Sequence, residues 1–176
     1  LDSGRRNIVI HSGIVRDFGQ EGIDGDGTEG VIVRDVIAFN NGLSGTGSGI
    51  RLGDNSMALG CIGQSNAGVG VHTGFQSVMR ECLASDNGSD GLFINAGVAF
   101  GCVSSTNGQD GLQSNRGVIS HCFAIGNTDD GLKSGSGTVI LGSAGLSNVN
   151  GIQSPNSMIV NNVAHNNSGV NIEGFA

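Results

Sequence analysis

The chain has 176 residues, including 33 Gly and a single Pro, which fits one domain over 1–176 with a composition far from ordinary globular usage. Collagen is excluded because glycine does not recur at every third residue, and disorder is disfavoured because aliphatic residues recur in register. The net charge of −7 makes nucleic acid a poor partner, and no stretch reaches the roughly 20 apolar residues that span a bilayer.

Pairs of glycine and an aliphatic residue divide the chain into repeats, which we call rungs. The steps between successive pairs are 27, 21, 21, 20, 20, 20 and 18 residues. The pairs are Gly22-Ile23, Gly49-Ile50, Gly70-Val71, Gly91-Leu92, Gly111-Leu112, Gly131-Leu132, Gly151-Ile152 and Gly169-Val170. A stack of similar turns keeps side-chain type at such an interval. Since Gly, Asn and Ser disfavour helix, we predict an all-β solenoid of about eight coils of 20–21 residues.

The first coil differs from the others in two ways. A five-residue insertion rich in Gly and Ser is predicted within 41–48. An acidic cluster of Glu21, Asp24, Asp26 and Glu29 precedes it. The Asp-Gly spacing of this cluster is typical of calcium loops, but the twelve-residue EF-hand pattern is not met. We therefore interpret the cluster as a solvated turn.

Three apolar columns are predicted to point into each coil, so that each coil has three strands with polar residues between the columns. The first column follows the rung glycines. The second reads Ile32, Ala58, Met79, Ala99, Ile119, Val139 and Ile159. The third reads Val36, Ile62, Leu83, Val103, Phe123, Ser143 and Val163.

Cysteine and asparagine recur in two further columns. The first reads Asp35, Cys61, Cys82, Cys102, Cys122, Gly142 and Asn162, and the second reads Asn40, Asn66, Asn87, Asn107, Asn127, Ser147 and Asn167. Stacked sulfurs do not converge around zinc, and their Cβ atoms, about 4.8 Å apart, are too distant for disulfides. We predict four reduced, buried thiols beside a ladder of amides at a turn.

The residue that follows each rung pair is predicted to point outward. These residues form a strip of Asp24, Arg51, His72, Phe93, Gln113, Lys133 and Gln153. Arg51, His72 and Lys133 are candidates for binding or deprotonating an acidic sugar, and Phe93 is a candidate stacking platform. Gln113 and Gln153 are candidate substrate-binding residues. The alternative is a solvated polar face without function.

An aspartate precedes the rung glycine in three consecutive coils, at Asp90, Asp110 and Asp130, with Asp129 adjacent. Carboxylates one rung apart repel each other, so another group has to stabilise their negative charges. A calcium ion is one candidate because it takes several carboxylate oxygens. Hydrogen bonds from backbone N–H groups at the turn are the other.

The N-x-x-D-G-L turns at 87–92, 107–112 and 127–132 resemble those of right-handed parallel β-helix proteins of the pectate lyase-like superfamily. The segment 107–133 is also similar to the calcium-dependent pectate lyases of polysaccharide lyase family nine. This resemblance implies calcium at Asp110, Asp129 and Asp130. Lys133 stands where the family has its last calcium-binding Asp. Asn115 falls near the expected lysine base, with Arg116 alongside, so Lys133, Arg116 and Arg51 are the candidate bases or clamps.

Two functions follow as hypotheses. The first is an enzyme or binding protein for acidic polysaccharide, with calcium-assisted proton abstraction as in a lyase or epimerase. The second is a non-catalytic structural or surface module, favoured by short loops, by the absence of Trp and Tyr from the sequence, and by a net charge that repels polyuronate.

The two ends of the chain show no amphipathic capping helix in the sequence, which predicts self-association through the uncapped ends or a segment of a longer protein. The start at Leu1 rather than Met favours a segment. The habit of the fold suggests an extracellular, periplasmic or cell-surface location.

Overall fold

The computed structural model describes residues 1–174, so the last two residues of the predicted 1–176 domain lie outside it. The strands are, in chain order, β1 (Val9–Arg16), β2 (Ile23–Glu29), β3 (Ile32–Phe39), β4 (Ile50–Asp54), β5 (Met57–Leu59), β6 (Ile62–Gln64), β7 (Val71–Arg80), β8 (Leu83–Ser85), β9 (Leu92–Phe100), β10 (Val103–Ser105), β11 (Leu112–Ser114), β12 (Gly117–Ser120), β13 (Phe123–Ile125), β14 (Asp130–Ser134), β15 (Val139–Leu141), β16 (Ala144–Leu146), β17 (Asn150–Gln153), β18 (Met158–Val160), β19 (Val163–His165) and β20 (Ile172–Glu173). Residues 1–174 contain no helix that could cross a membrane.

Each strand pairs in parallel with strands one coil away, and the pairs form three sheets. The first sheet contains β2, β4, β11, β14, β17, β20 and the starts of β7 and β9. The second contains β5, β12, β15, β18, the starts of β1 and β3 and the ends of β7 and β9. The third contains β6, β8, β10, β13, β16, β19 and the ends of β1 and β3. The predicted right-handed parallel β-helix of about eight coils with three strands each is confirmed.

The inward column of the first sheet is the predicted one, with a corrected last member. Ile23, Ile50, Val71, Leu92, Leu112, Leu132 and Ile152 are all buried. The eighth rung lies at Ile172, which pairs in register with Ile152, and not at Gly169-Val170. The last step is therefore 20 residues, like the three steps before it.

At two places along the chain, the predicted columns are shifted by one residue from the register in the structure. Asp35 and Gly142 have left-handed φ angles of 54° and 56°, because they form the turn before the third sheet. Val36 and Ser143 are the residues in register with the cysteines. The same slip puts Val33 and Ile140, rather than Ile32 and Val139, in the buried second column. The cysteines themselves are free and buried.

The third apolar column was predicted inward and is wrong. The small residues Ala38, Gly63, Ala84, Ser104, Ala124, Gly145 and Ala164 line the interior of the third sheet. The larger neighbours at the preceding positions point out, and Leu83, Val103 and Val163 are exposed. Alternation along a strand allows only every second side chain to face the core. Because the cysteine column already faces inward, the residue after it must face solvent.

A ladder of seven buried or half-buried asparagines stacks at the turn between the third and first sheets. Its members are Asn41, Asn66, Asn87, Asn107, Asn127, Asn148 and Asn167. The predicted members Asn40 and Ser147 belong instead to the adjacent column of left-handed turn residues. The ladder also explains the rung glycines, since a Cβ at Gly91 would lie 2.5 Å from Asn107 Nδ2.

The insertion in the first coil is shorter than predicted. Eight positions separate Asn41 from Gly49, whereas four separate Asn66 from Gly70. The insertion is therefore four residues, and the fifth was an effect of the slip at Asp35.

Candidate functional site

The outward strip of the first sheet has the predicted register. Asp24, Arg51, His72, Phe93, Gln113, Lys133, Gln153 and Glu173 occupy equivalent positions on consecutive strands. Neighbours in such a column are about 4.8 Å apart. The strip is thus a straight row of polar and aromatic side chains along the rod.

The aspartates beside the strip stack at the start of the first-sheet strands. The Asp110 N–H donates to Asp90 Oδ1 at 3.1 Å, and the Asp130 N–H donates to Asp110 Oδ1 at 3.0 Å. Asn150 continues this column, donating from Nδ2 to Asp130 Oδ1 at 2.7 Å. A calcium ion and hydrogen bonds from backbone N–H groups were the two ways considered to stabilise the carboxylates, and the hydrogen bonds are present. Asn150 was missed in the sequence, although it precedes Gly151 as each aspartate precedes its glycine.

Lys133 reaches back from the strip into this aspartate column. Its Nζ lies 3.1 Å from Asp110 Oδ2, 3.4 Å from Asp130 Oδ2 and 3.8 Å from Asp129 Oδ2. The Asp110 and Asp130 side chains are almost fully buried, whereas the Lys133 side chain is 34% exposed. One ammonium group thus serves three carboxylates and still faces solvent.

The protonation states follow from this packing. Burial raises the pKa of Asp110, against the hydrogen bonds from the Asp130 N–H and Lys133. Partial burial opposes the charged form of Lys133, but the hydrogen bond and charge of Asp110, with the charges of Asp130 and Asp129, outweigh it and raise the Lys133 pKa. Lys133 is therefore a persistent cation and a poor base at neutral pH.

The predicted metal ligands are only partly brought together. Asp110, Asp129 and Asp130 offer oxygen atoms within 4.8 Å of one another, but Asp90 lies outside this group. The Lys133 ammonium is paired with all three. A calcium ion bridging the same oxygens would have to displace it, so the residues as arranged do not fit a resident metal.

His72 and Arg51 form a second group on the strip. Arg51 Nη2 lies 2.9 Å from Asp26 Oδ2, and Arg51 Nη1 lies 4.0 Å from Glu21 Oε1. The His72 ring contacts Phe93 edge to face, with centroids 4.7 Å apart. Burial lowers the pKa of His72, and the Arg51 charge lowers it further. The imidazole is therefore neutral at pH 7 and able to accept a proton.

The acidic cluster of the first coil is ion-paired rather than simply solvated. Glu21 and Asp26 pair with Arg51, and Glu29 pairs with Arg6 at 3.1 Å. Asp24 Oδ1 instead accepts the Asp26 N–H at 3.0 Å.

Arg116 does not join Lys133. It lies on the turn after β11, in a shallow groove lined by Phe75, Gln76, Asn95, Ala96 and Asn115. Phe75, an aromatic ring 53% exposed in this groove, was missed because nothing in its sequence neighbourhood marks the turn. Gln153 is engaged with Glu173, donating from Nε2 to Oε2 at 3.3 Å.

Asp90→Asn is expected to stabilise the fold at neutral pH. Burial raises the pKa of Asp90 to about 6, with a further contribution from the Asp110 charge. Its unfolded value is about 3.9, so the folded state holds this proton more tightly. Stability is therefore lost as pH rises through about 6, by roughly 2–3 kcal/mol, and no such loss exists below about pH 4. Asparagine keeps the acceptor for the Asp110 N–H, as Asn150 does in the same column for the Val170 N–H.

The measurement is urea unfolding of both proteins across this pH range. The gain should grow between about pH 4 and pH 6 and then stay constant. Asp86→Asn, which removes an exposed carboxylate, is the matched control and should change the free energy of unfolding by no more than about 0.5 kcal/mol. A gain that did not depend on pH would contradict the assignment.

The comparisons with known proteins bear on the fold. No family model matches the chain, and no curated protein matches it. Among solved structures, the A-module of the mannuronan C-5 epimerase AlgE4 of Azotobacter vinelandii is similar, with a TM-score of 0.79 and 17% sequence identity. The match covers 97% of this chain and 56% of that one, so the chain spans little more than half of the module.

Proposed function

We propose, from the fold that this chain shares with a mannuronan C-5 epimerase module, that it binds an acidic polysaccharide lengthwise along the outward strip of the first sheet. The observation that supports this most is the Lys133 ammonium, held in the strip by two buried aspartates and still a third exposed. A cation fixed in this way loses little side-chain entropy when it meets a uronate carboxylate. The rung spacing of about 4.8 Å is comparable with the length of one sugar in an extended chain.

The rest of the strip supports the same occupant. Phe93 and Gln113 separate His72 from Lys133, which gives a stacking surface followed by a hydrogen-bonding side chain. Arg51 places a second cation beyond His72. The partner is thus a polymer with repeated carboxylates, and an extracellular, periplasmic or cell-surface location goes with it. No step of this binding depends on calcium.

A second candidate function is proton abstraction from the carbon beside the uronate carboxylate. It is favoured by His72, a neutral imidazole one rung from Arg51. In this reaction His72 accepts the C-5 proton while Arg51 faces the carboxylate. Return of a proton to the opposite face gives an epimerase, and loss of the 4-linked sugar oxygen gives a lyase. The non-catalytic module differs only in lacking this step.

One experiment separates the three functions. Oligomannuronate and oligogalacturonate are titrated calorimetrically and then incubated with the protein, with ultraviolet absorbance for unsaturated uronides and proton NMR for C-5 inversion as readouts. We expect binding that Lys133→Gln weakens at least tenfold, or about 1.4 kcal/mol. Phe93→Ala should weaken it without disturbing the aspartates. Arg34→Gln, which removes an exposed positive charge on the second sheet, is the control.

The variant His72→Gln decides about catalysis. Binding that survives while turnover disappears supports the enzyme, and binding without turnover in the unmodified protein supports the module. If neither oligomer binds at millimolar concentration, the proposed function is wrong.

A further inference from the structure

The outer faces of the second and third sheets each carry a continuous column of apolar side chains, where polar residues were predicted. One outward column of the second sheet reads Ile32, Met57, Val78, Val98, Val118, Val139 and Met158. The equivalent column of the third sheet reads Ile37, Ile62, Leu83, Val103, Phe123, Ala144 and Val163. We call these two columns and the outward residues next to them the lateral face.

The apolar side chains of the lateral face remain accessible to solvent. Val98 is 39% exposed, Leu83 is 38% exposed, and Met158 near the end of the rod is 61% exposed. Phe100 and Ile125, from the neighbouring outward columns, are exposed as well. Single exposed aliphatic residues are normal, but a continuous apolar surface of several hundred Å² marks an interaction site.

Charge is distributed to match this division of the surface. The strip on the first sheet alternates charged, polar and aromatic residues, whereas the outward positions of the second and third sheets between residues 32 and 165 carry only the charges of Arg34 and Arg80. Arg80 is itself paired with Glu81 at 3.0 Å and lies over the Phe100 ring. Of the 15 acidic residues, Asp35 and Glu81 lie at the corner between the second and third sheets, and the others lie away from the lateral face.

The size of the lateral face corresponds to a protein interface. Strands of three residues are about 10 Å wide, and seven rungs extend about 34 Å, so the two sheets together present on the order of 700 Å². Each partner in a standard protein complex buries about 800 Å². Either sheet alone offers only about half of this area, so a stable contact has to involve both.

We propose that the lateral face binds further copies of this chain, so that the β-helices associate side by side in solution. The two sheets meet at a corner, so covering both takes a partner that wraps the corner or two neighbours around a rotation axis. In either arrangement the strip on the first sheet stays open. The inference does not depend on the proposed function, and it differs from association through the ends of the rod.

The test is the molar mass from size-exclusion chromatography with light scattering at protein concentrations up to about 100 µM. We expect a mass of at least twice 17.7 kDa. Leu83→Lys and Val98→Lys, one on each sheet, should raise the concentration needed for assembly at least tenfold. Gln113→Lys adds the same charge on the first sheet and should leave assembly unchanged.

Two further variants keep the result interpretable. Ser85→Lys adds a charge to the same face at a polar position, so it serves if Leu83→Lys fails to fold by circular dichroism. Ile172→Lys, on the last strand, tests end-to-end association. A monomeric protein, or an oligomer that Ile172→Lys dissolves and the lateral variants do not, would overturn the proposal.

Discussion

Asn107→Ala should destabilise the protein by about 3–5 kcal/mol, a large share of the 5–15 kcal/mol that holds an ordinary domain together. Asn107 is fully buried. Its Oδ1 accepts from the backbone N–H of Asn87 at 3.1 Å and from Asn87 Nδ2 at 3.0 Å. Its Nδ2 donates to Asn127 Oδ1 at 2.9 Å. Alanine leaves the buried Asn87 N–H without an acceptor, which costs about 1–3 kcal/mol. Asn87 Nδ2 keeps its bond to Gly63 O, and Asn127 Oδ1 keeps its bond from the Asn107 N–H, so each of the two other lost bonds costs about 0.5–1.5 kcal/mol.

The chain supplies a matched control for this prediction. Asn115 also donates to an asparagine one rung away, reaching Asn95 Oδ1 at 2.9 Å, but the bond lies on the exposed surface. Water can replace it, so Asn115→Ala should change the free energy of unfolding by no more than about 0.5 kcal/mol. Urea denaturation of both variants measures the difference. Equal effects would mean that the buried ladder contributes no more than a surface amide pair.

Lys133→Met should destabilise the protein by about 2–3 kcal/mol at neutral pH and make its stability depend on calcium. Removing one partner from a buried ion pair costs about 3–5 kcal/mol, and the partial exposure of Lys133 reduces this. Without the ammonium, the buried Asp110 carboxylate loses the cation that opposes the effect of burial, so its pKa rises further. The loss of stability is therefore full at neutral pH and shrinks as the pH falls and Asp110 takes up a proton.

The calcium dependence tests whether the Lys133 ammonium is the cation that stabilises the three aspartate carboxylates. The three oxygens within 4.8 Å are free to bind a divalent cation once the ammonium is gone. Millimolar calcium should raise the melting temperature of Lys133→Met and leave that of the unmodified protein unchanged. Gln113→Met, the same side chain one rung away, should show no response. A calcium response in the unmodified protein would mean that metal binds with Lys133 in place.

Much of the fold could be read from the sequence because a β-helix repeats its packing every coil. The rung glycines, the first apolar column and the central asparagines recur at 20 or 21 residues, and that interval fixes which residues stack. The slips at Asp35 and Gly142 arose where a turn residue of left-handed backbone looked like a member of the next strand. Periodicity counts residues, but it does not show where a turn ends.

The site was less predictable for a related reason. Register placed Lys133 next to Gln113 correctly, but it gave no sign that the lysine turns back towards the buried Asp110 rather than out towards solvent. Arg116 was a candidate base or clamp because it stands beside Asn115, near the position of the family's lysine base, but the turn after β11 carries it around the corner of the coil. Side-chain direction at a corner depends on neighbouring coils, which a linear pattern does not contain.

The sequence by itself determined the coil length, the number of rungs and the row of polar residues on the first sheet, because each depends on an interval along the chain. Only the tertiary structure decided which side of the third sheet faces the core. The aliphatic residues from Ile62 to Val163 looked like core by composition, yet the cysteines before them had already taken the inward positions. The two faces of a strand exchange roles with a shift of one residue, and the packing of adjacent coils selects between them.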